Sequence, residues 1–216
     1  MRPSLDLRCY LVTGSGTREH ILKVVREAVA GGCGTVQVRS KPIDALDLYE
    51  LTADIAREVG DRATVLIDDR VDVALSLMRL GLPVHGVHVG QSDLPVEQVR
   101  QLLGPDAIIG LTTGSRELVE ASNALGDVID YIGAGPYRPT PTKDTGRSPL
   151  GLEGYRELTE LSKVPVVAIG DVTADDAADL AATGVAGLAV VRGLMNAADP
   201  RAYAARLVAG FEEGRK

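Results

Sequence analysis

Polar side chains alternate with valines in one short stretch of the first half of the sequence. Gln37 and Arg39 alternate with Val36 and Val38, and Lys41 continues the spacing of two. Because strand side chains alternate between two faces, Gln37 and Arg39 are predicted to share one face. A guanidinium buried in a protein interior is costly without an anion to meet it. The pattern therefore predicts either an anion site or a structural ion pair at Arg39.

Aspartates follow the next two apolar runs. Asp68 and Asp69 end one run, and Asp93 closes the segment Val-Gly-Gln-Ser-Asp after the other. The ends of neighbouring parallel strands meet at one edge, where two carboxylates can share a hard cation. Mg²⁺ takes few carboxylates and completes its shell with water and phosphate oxygens. The alternative interpretation is that Asp68 or Asp93 caps the following helix.

Three later segments could receive phosphate. The long connection from 135 to 151 contains Thr140, Thr142 and Lys143 between prolines, so hydroxyls and an ammonium are held on a stiff backbone. Two glycine-containing turns follow, at 169–171 and 190–193. Loops in these positions of a barrel often bind phosphate through backbone amides and a short helix start. A plain surface loop and plain turn glycines are the alternatives.

The two neighbouring histidines are predicted to have packing roles. His85 and His88 are three residues apart on a short apolar run. This spacing places their side chains on opposite faces of a strand, so they are poor candidates for ligands of one metal ion.

A strand–turn–helix pattern repeats about eight times and predicts the architecture. Alternation of this kind implies parallel strands, and eight units favour a closed barrel. We therefore predict an α/β fold, a single (β/α)8 TIM barrel, as one domain over 1–216. The predicted strands are Cys9–Thr13, Thr35–Arg39, Thr64–Asp68, Gly86–Val89, Ile108–Thr112, Tyr131–Ala134, Val166–Ile169 and Gly187–Val191. The predicted helices lie near 19–30, 45–59, 71–80, 96–103, 116–125, 153–161, 174–182 and 201–213.

Composition narrows the classes of partner. The formal net charge is −7, without a long basic run, which argues against nucleic acid or an anionic membrane as partner. Cys9 and Cys33 lack paired spacing, as expected of free thiols in a reducing compartment. No signal-like segment or membrane-length apolar run is evident, so we expect a cytoplasmic protein with small-molecule partners. A homo-oligomer stays possible.

In order along the chain, these segments resemble the thiamin phosphate synthase family. The resemblance covers nearly the whole sequence, and its ordered set of motifs is specific although each motif alone is weak. The motifs are Gln37-Val38-Arg39-Ser40-Lys41, Asp68-Asp69-Arg70, His88-Val89-Gly90-Gln91-Ser92-Asp93, Gly110-Leu111-Thr112-Thr113, Gly133-Ala134-Gly135-Pro136, Thr140–Lys143 and Ala168-Ile169-Gly170.

The resemblance implies a transferase that condenses hydroxymethylpyrimidine diphosphate with thiazole phosphate, giving thiamin phosphate and pyrophosphate. It implies that the pyrimidine diphosphate ionises before the thiazole nitrogen captures the resulting cation, and that Mg²⁺ is the cofactor. It also implies a role for each matching residue. Gln37 would recognise the pyrimidine; Arg39, Lys41, Asp68, Thr112 and Lys143 would serve the diphosphate and catalysis; Asp69 and Asp93 would bind Mg²⁺; Thr140 and Thr142 would meet the thiazole; and Gly170, Asp171, Val191 and Arg192 would bind its phosphate.

Several positions depart from the family pattern. The family usually has Asn at Asp68, Ser at Thr112, His at Gly114 and Gly at Asp171. The two added carboxylates should weaken phosphate binding unless a metal ion or Arg192 compensates. Two alternatives stay open: a thiazole tautomerase relative, which typically lacks the Thr-Pro-Thr-Lys loop that is intact here, and a non-catalytic regulatory paralogue that binds thiamin precursors. A phosphosugar isomerase barrel is disfavoured, because the sequence offers neither the base pair nor the metal-binding histidines that it would need.

Overall fold

Eight parallel strands close into a barrel in the computed structural model, which describes residues 5–139 and 148–216. Each strand pairs with its neighbours in chain order, and β8 pairs with β1, with Tyr10 opposite Ala189. The strand segments are buried and rich in β-branched residues, as expected of parallel strands covered by helices. The strands are β1 (Cys9–Val12), β2 (Thr35–Val38), β3 (Thr64–Asp68), β4 (Gly86–Val89), β5 (Ile108–Thr112), β6 (Tyr131–Ala134), β7 (Val166–Ala168) and β8 (Gly187–Val190).

Nine α-helices connect or follow the strands within the described residues. They are α1 (Arg18–Ala30), α2 (Ala45–Val59), α3 (Val71–Arg79), α4 (Val96–Leu103), α5 (Arg116–Ser122), α6 (Gly151–Leu161), α7 (Ala177–Ala181), α8 (Arg192–Met195) and α9 (Pro200–Gly214). Two 3₁₀ segments, Asn123–Val128 and Ala174–Asp176, adjoin α5 and α7.

Local sequence signals explain where several helices begin. The Thr17 hydroxyl accepts a hydrogen bond from the His20 amide at the start of α1. Thr173 and Asp176 form a reciprocal capping box at the start of the 3₁₀ segment before α7. At α9, Asp199 caps the helix and Pro200 occupies its first turn. Proline costs little there, because first-turn amides form no hydrogen bond within the helix.

The hydrophobic core has two layers. The larger layer lies between the outer faces of the strands and the helices, and it contains Val36 and Val38 of β2. The smaller layer fills the barrel interior. Its buried members are Leu7, Tyr10, Val12, Leu66, Ile108, Tyr131, Val167 and Ala189. The alternation predicted for β2 is confirmed, since its valines face outward.

The predicted fold class is confirmed; most elements differ from the prediction only at their ends, and the short helix α8 was not predicted. The helix expected over 116–125 changes to a 3₁₀ segment at Asn123, and Gly126 has a φ of 49° that an α-helix cannot contain. The element expected over 174–182 is divided into a 3₁₀ segment, which begins with the capping box, and the short helix α7. Thr140, Thr142 and Lys143 lie outside the described residues.

The described ends of the long connection are joined to each other. The Leu150 amide donates to the Pro136 carbonyl at 2.8 Å, and the Gly151 amide donates to the Tyr137 carbonyl at 3.1 Å. The connection therefore leaves and re-enters the barrel at one point beside β6. Among residues 5–139 and 148–216, no helix combines the length and apolarity needed to cross a bilayer.

Candidate active site at the carboxyl ends of the strands

A cavity of about 180 Å³ opens where the strands end. One water molecule needs only about 10–15 Å³ by this measure, so the cavity has room for a ligand rather than for isolated waters. Residues from all eight strands or the loops after them reach it. Its lining includes Tyr10, Gln37, Arg39, Asp68, His88, Thr112, Tyr131, Gly170, Asp171, Val191 and Arg192.

The cations after β2 meet aspartates after β3. The Arg39 Nε atom lies 3.5 Å from the Asp68 Oδ2 atom, and the Lys41 Nζ atom lies 3.1 Å from that oxygen. Lys41 also contacts the Asp69 carboxylate. The Thr13 hydroxyl holds the Arg39 backbone, accepting from its amide and donating to its carbonyl, both at 2.8 Å. Arg39 is therefore fixed at the pocket rim rather than free on a loop.

The Asp68 carboxylate is largely buried, which disfavours its charged form. Its side chain is 11% exposed, and its Oδ2 atom has no hydrogen-bond partner among the described residues despite the two nearby cations. Burial raises the pKa of Asp68, the charge of Asp69 raises it further, and Lys41 opposes both. The buried carboxylate is only partly compensated by its neighbours.

Asp69 and Asp93 approach each other at the ends of β3 and β4. Asp69 has a φ of 60°, an unusual value for a residue with a side chain, and its amide donates to the His88 carbonyl at 2.8 Å. The Asp93 Oδ2 atom accepts from the Gly90 amide at 2.7 Å. Burial raises the pKa of Asp93, the Gly90 amide opposes this, and Asp69 raises the pKa again through its charge and a hydrogen bond.

This carboxylate pair has the chemistry of an incomplete cation site. Two oxygen ligands suffice for Mg²⁺ when water and substrate phosphates supply the others. Within the described residues, no group of three or more His, Cys, Asp or Glu side chains is arranged to hold a metal ion. The two carboxylates therefore fit a Mg²⁺ ion that is shared with a phosphate ligand and water.

A second charged group lies across the pocket, after β7 and β8. Asp171 has a φ of 59° and forms an ion pair with Arg192, the first residue of α8. The Arg138 guanidinium stacks over the Tyr137 ring, 4.6 Å from its centroid, and pairs with Asp176. The compensation of the Asp171 charge by Arg192 that the sequence suggested is thus present as an ion pair.

Gly170 is required by packing. It has a φ of 103°, and a Cβ atom there would lie 2.5 Å from the Pro136 Cα atom. The loop after β7 passes directly against the loop after β6. A close approach within the protein therefore explains this glycine, whether or not its amide also contacts a ligand.

A hydrogen-bonded chain of side chains forms the pocket floor. The Tyr10 and Tyr131 hydroxyls are 2.7 Å apart, and the Tyr131 hydroxyl lies 2.9 Å from His88 Nδ1. His88 Nε2 in turn lies 2.9 Å from the Thr112 Oγ1 atom. Burial raises the pKa of both tyrosines, so their hydroxyls stay protonated at neutral pH.

The pocket position of His88 was not anticipated by the packing role predicted for both histidines. His85 does have a structural contact, because its Nδ1 atom accepts from the Val65 amide at 3.0 Å and burial lowers its pKa. His88 lies between Val87 and Val89, just as Gln37 lies between Val36 and Val38. That parity was the available signal, whereas nothing in the sequence indicates the contacts with Tyr10 and Tyr131.

The predicted site residues that the structure describes form two adjoining groups. Gln37, Arg39, Asp68, Thr112, Gly170, Asp171, Val191 and Arg192 line one pocket, and Lys41, Asp69 and Asp93 adjoin it beside Asp68. The fold and this arrangement define a class: a TIM-barrel enzyme with its site at the carboxyl ends of the strands.

Comparison with known proteins identifies the family. The model of the thiamine monophosphate synthase family matches residues 9–194. The thiamine-phosphate synthase of Corynebacterium efficiens is 71% identical over the full length of both chains, and that of Corynebacterium jeikeium is 62% identical over the full length of both chains. The solved thiamine phosphate pyrophosphorylase of Pyrococcus furiosus is 34% identical, with a TM-score of 0.84 over 98% of each chain. The chain therefore belongs to the thiamine monophosphate synthase family. The prediction from the sequence that it is an enzyme of this family is confirmed.

Proposed function

We propose that this chain condenses 4-amino-2-methyl-5-hydroxymethylpyrimidine diphosphate with 4-methyl-5-(2-hydroxyethyl)thiazole phosphate in a Mg²⁺-dependent reaction. The observation that carries the proposal is the convergence of two cations and three aspartates beside one buried pocket. Arg39 and Lys41 meet Asp68, and Asp69 approaches Asp93. Such a cluster suits a diphosphate that leaves with a bound cation.

The proposed reaction exchanges one bond for another. The bond between the pyrimidine methylene carbon and the diphosphate oxygen breaks, and its electron pair leaves with pyrophosphate. The thiazole nitrogen then donates its lone pair to the methylene carbon, which forms the new carbon–nitrogen bond. No protein nucleophile is needed. The protein must neutralise the departing charge and hold both substrates close.

Residues of the described pocket have specific tasks in this proposal. Gln37 is buried at 4% exposure on the lumen face, where its amide can pair with an aminopyrimidine. Arg39 and Lys41 would bind the diphosphate, with Thr112 as a hydroxyl donor. Lys143, Thr140 and Thr142, which lie outside the described residues, would add a diphosphate cation and the thiazole contacts.

The thiazole phosphate would bind at the opposite end of the pocket. The backbone amides of Gly170, Asp171, Val191 and Arg192 are the proposed donors there, as the family resemblance implies. The Arg192 side chain is 43% exposed and already engaged by Asp171, so phosphate must compete with that carboxylate.

Asp69 and Asp93 would hold Mg²⁺, which supplies charge neutralisation on the pyrophosphate oxygens when it is bound. The effect of the Asp69 carboxylate, which raises the pKa of Asp93, supports this assignment, since a cation between the two groups would relieve the repulsion. Titration calorimetry of Mg²⁺ in the presence of pyrophosphate tests it without turnover. Asp93→Asn should weaken Mg²⁺ binding at least tenfold, and Asp61→Asn, at a side chain 82% exposed, should not.

The experiment for the whole proposal supplies both substrates with Mg²⁺ and measures thiamin phosphate and pyrophosphate together. Equal amounts of the two products are expected, with none when either substrate is omitted and none in excess chelator. Binding of both precursors without product would favour the regulatory alternative. Conversion of a thiazole substrate alone would favour the tautomerase alternative.

A further inference from the structure

The pocket floor contains a hydrogen-bonded series of polar side chains from four strands. Tyr10 of β1, Tyr131 of β6, His88 of β4 and Thr112 of β5 follow one another at separations of 2.7, 2.9 and 2.9 Å. The first two are buried at 2% and 0% exposure, and Thr112 faces the cavity. The series therefore runs from the barrel interior to the cavity.

Two glycines leave the space that the His88 and Tyr131 rings occupy. A Cβ atom at Gly110 would lie 2.2 Å from the Tyr131 ring and 2.4 Å from the His88 Nδ1 atom. A Cβ atom at Gly133 would lie 3.1 Å from the His88 ring. Two neighbouring strands thus carry glycine where any larger side chain would displace the imidazole. The His88 ring is held by a built cavity and not by chance contact.

The buried end of the series decides the direction of its hydrogen bonds. Within the part of the chain that the structure describes, the Tyr10 hydroxyl has the Tyr131 hydroxyl as its one hydrogen-bond partner. If Tyr10 donates to Tyr131, then Tyr131 donates to His88 Nδ1, and His88 Nε2–H donates to Thr112. The opposite direction would leave the Tyr10 hydrogen buried without an acceptor, which is costly.

We propose that Tyr10, Tyr131 and His88 act as positioning residues that force the Thr112 hydroxyl to donate into the pocket. His88 is then the neutral tautomer with its proton on Nε2, so Thr112 must accept from His88 and turn its own hydrogen toward the ligand. In the condensation proposed above, on which this inference rests, that hydrogen is available to the oxygen of the departing pyrophosphate. A threonine without this constraint could equally donate to the imidazole and present only lone pairs.

A matched set of Tyr→Phe variants tests the inference by kinetics. Tyr131→Phe removes the donor to His88, and we expect kcat to fall about five- to tenfold with KM for both substrates within about twofold. Tyr10→Phe leaves Tyr131 with a single acceptor, so a smaller loss of about twofold is expected. Tyr155→Phe is the structural control, because this buried hydroxyl donates to the Ala134 carbonyl at 2.7 Å, outside the series. It should lower thermal stability without changing kcat.

A double-mutant cycle separates positioning from general damage. Thr112→Val removes the proposed donor and should lower kcat by about 100-fold. In that background, Tyr131→Phe should have less than a twofold further effect, because the group through which it acts is gone. A full multiplicative loss in the double variant would overturn the inference. So would a kcat loss in Tyr10→Phe as large as that in Tyr131→Phe.

A measurement on the unsubstituted protein covers the case in which a variant does not fold. The chain has three histidines, and ¹⁵N-histidine NMR distinguishes a protonated from an unprotonated ring nitrogen. The inference requires the His88 Nδ1 atom to be unprotonated, and a proton on Nδ1 would refute it. Absence of thiamin phosphate formation by the unsubstituted protein would instead refute the proposed function, so the two failures are distinguishable.

Discussion

Replacing Asp68 by asparagine should tighten the binding of pyrophosphate. In the free protein the Asp68 carboxylate attracts both cations assigned to the diphosphate, at 3.1 Å from Lys41 and 3.5 Å from Arg39. A diphosphate must take these cations from Asp68 and also bind near its negative charge. Asp68→Asn removes both penalties and keeps the shape of the side chain.

The size of the effect follows from these distances. Coulomb's law gives about 5 kcal/mol for each pair at an effective dielectric constant of about 20. Most of this is offset, because the Lys41 and Arg39 side chains are 48% and 26% exposed and can be solvated by water instead. We take a net competition of about 1–2 kcal/mol, which corresponds to about a five- to 30-fold lower Kd for pyrophosphate.

Titration calorimetry of pyrophosphate at saturating Mg²⁺ measures this change. Asp61→Asn, with a side chain 82% exposed, removes the same charge from the surface and should leave Kd within about twofold. Weaker pyrophosphate binding in Asp68→Asn would refute the reasoning and assign Asp68 to the metal ion. An unchanged Kd would mean that the ion pairs seen here are not in competition with the ligand.

The same variant has a predicted pH signature in unfolding. Burial and the charge of Asp69 raise the pKa of Asp68 in the folded protein. Protonated Asp68 therefore favours folding at pH values below its ordinary pKa, and this stability is lost as pH rises through the raised pKa. At pH 7, Asp68→Asn should unfold at an equal or higher temperature than the unsubstituted protein. That advantage should shrink as the pH is lowered past the raised pKa.

Three further substitutions have defined outcomes. Gly110→Ala places a Cβ atom 2.2 Å from the Tyr131 ring, so thermal unfolding should show a loss of about 1–3 kcal/mol together with lower kcat; full stability would contradict the packing. Asp171→Gly removes the carboxylate that pairs with Arg192, and glycine readily adopts the φ of 59° at position 171. Calorimetry should therefore show tighter binding of inorganic phosphate, with little change in melting temperature. Weaker binding would mean that the Asp171 carboxylate positions the Arg192 guanidinium. Lys143→Ala should lower turnover far more than melting temperature, and proportionate losses in both would make its loop structural.

Regular repetition explains why the fold could be predicted from the sequence. Each β-branched run and each amphipathic segment carries its own periodic signal, and eight such units in one order imply the closed barrel that is observed. Strand parity placed Gln37 and Arg39 on the lumen face. Consecutive order placed Asp69 beside Asp93, because sequential strands in this fold are neighbours.

Ion pairs between adjacent loops could be predicted only in part from the sequence. The sequence suggested Arg192 as a compensating charge for Asp171, and the structure places them in contact because β7 and β8 are neighbours. The pairing of Lys41 with both Asp68 and Asp69 could not be derived, since a flexible side chain with several acidic neighbours has no partner specified by spacing.

The sequence by itself determined the barrel, the end of the barrel that carries charge, and the neighbours along its rim. Only the tertiary structure decided which groups meet across the lumen. Tyr10, Tyr131 and His88 come from strands that are not all adjacent, and their contacts depend on the stagger and tilt with which the barrel closes. Those quantities arise from the whole sheet at once, so no local pattern of residues encodes them.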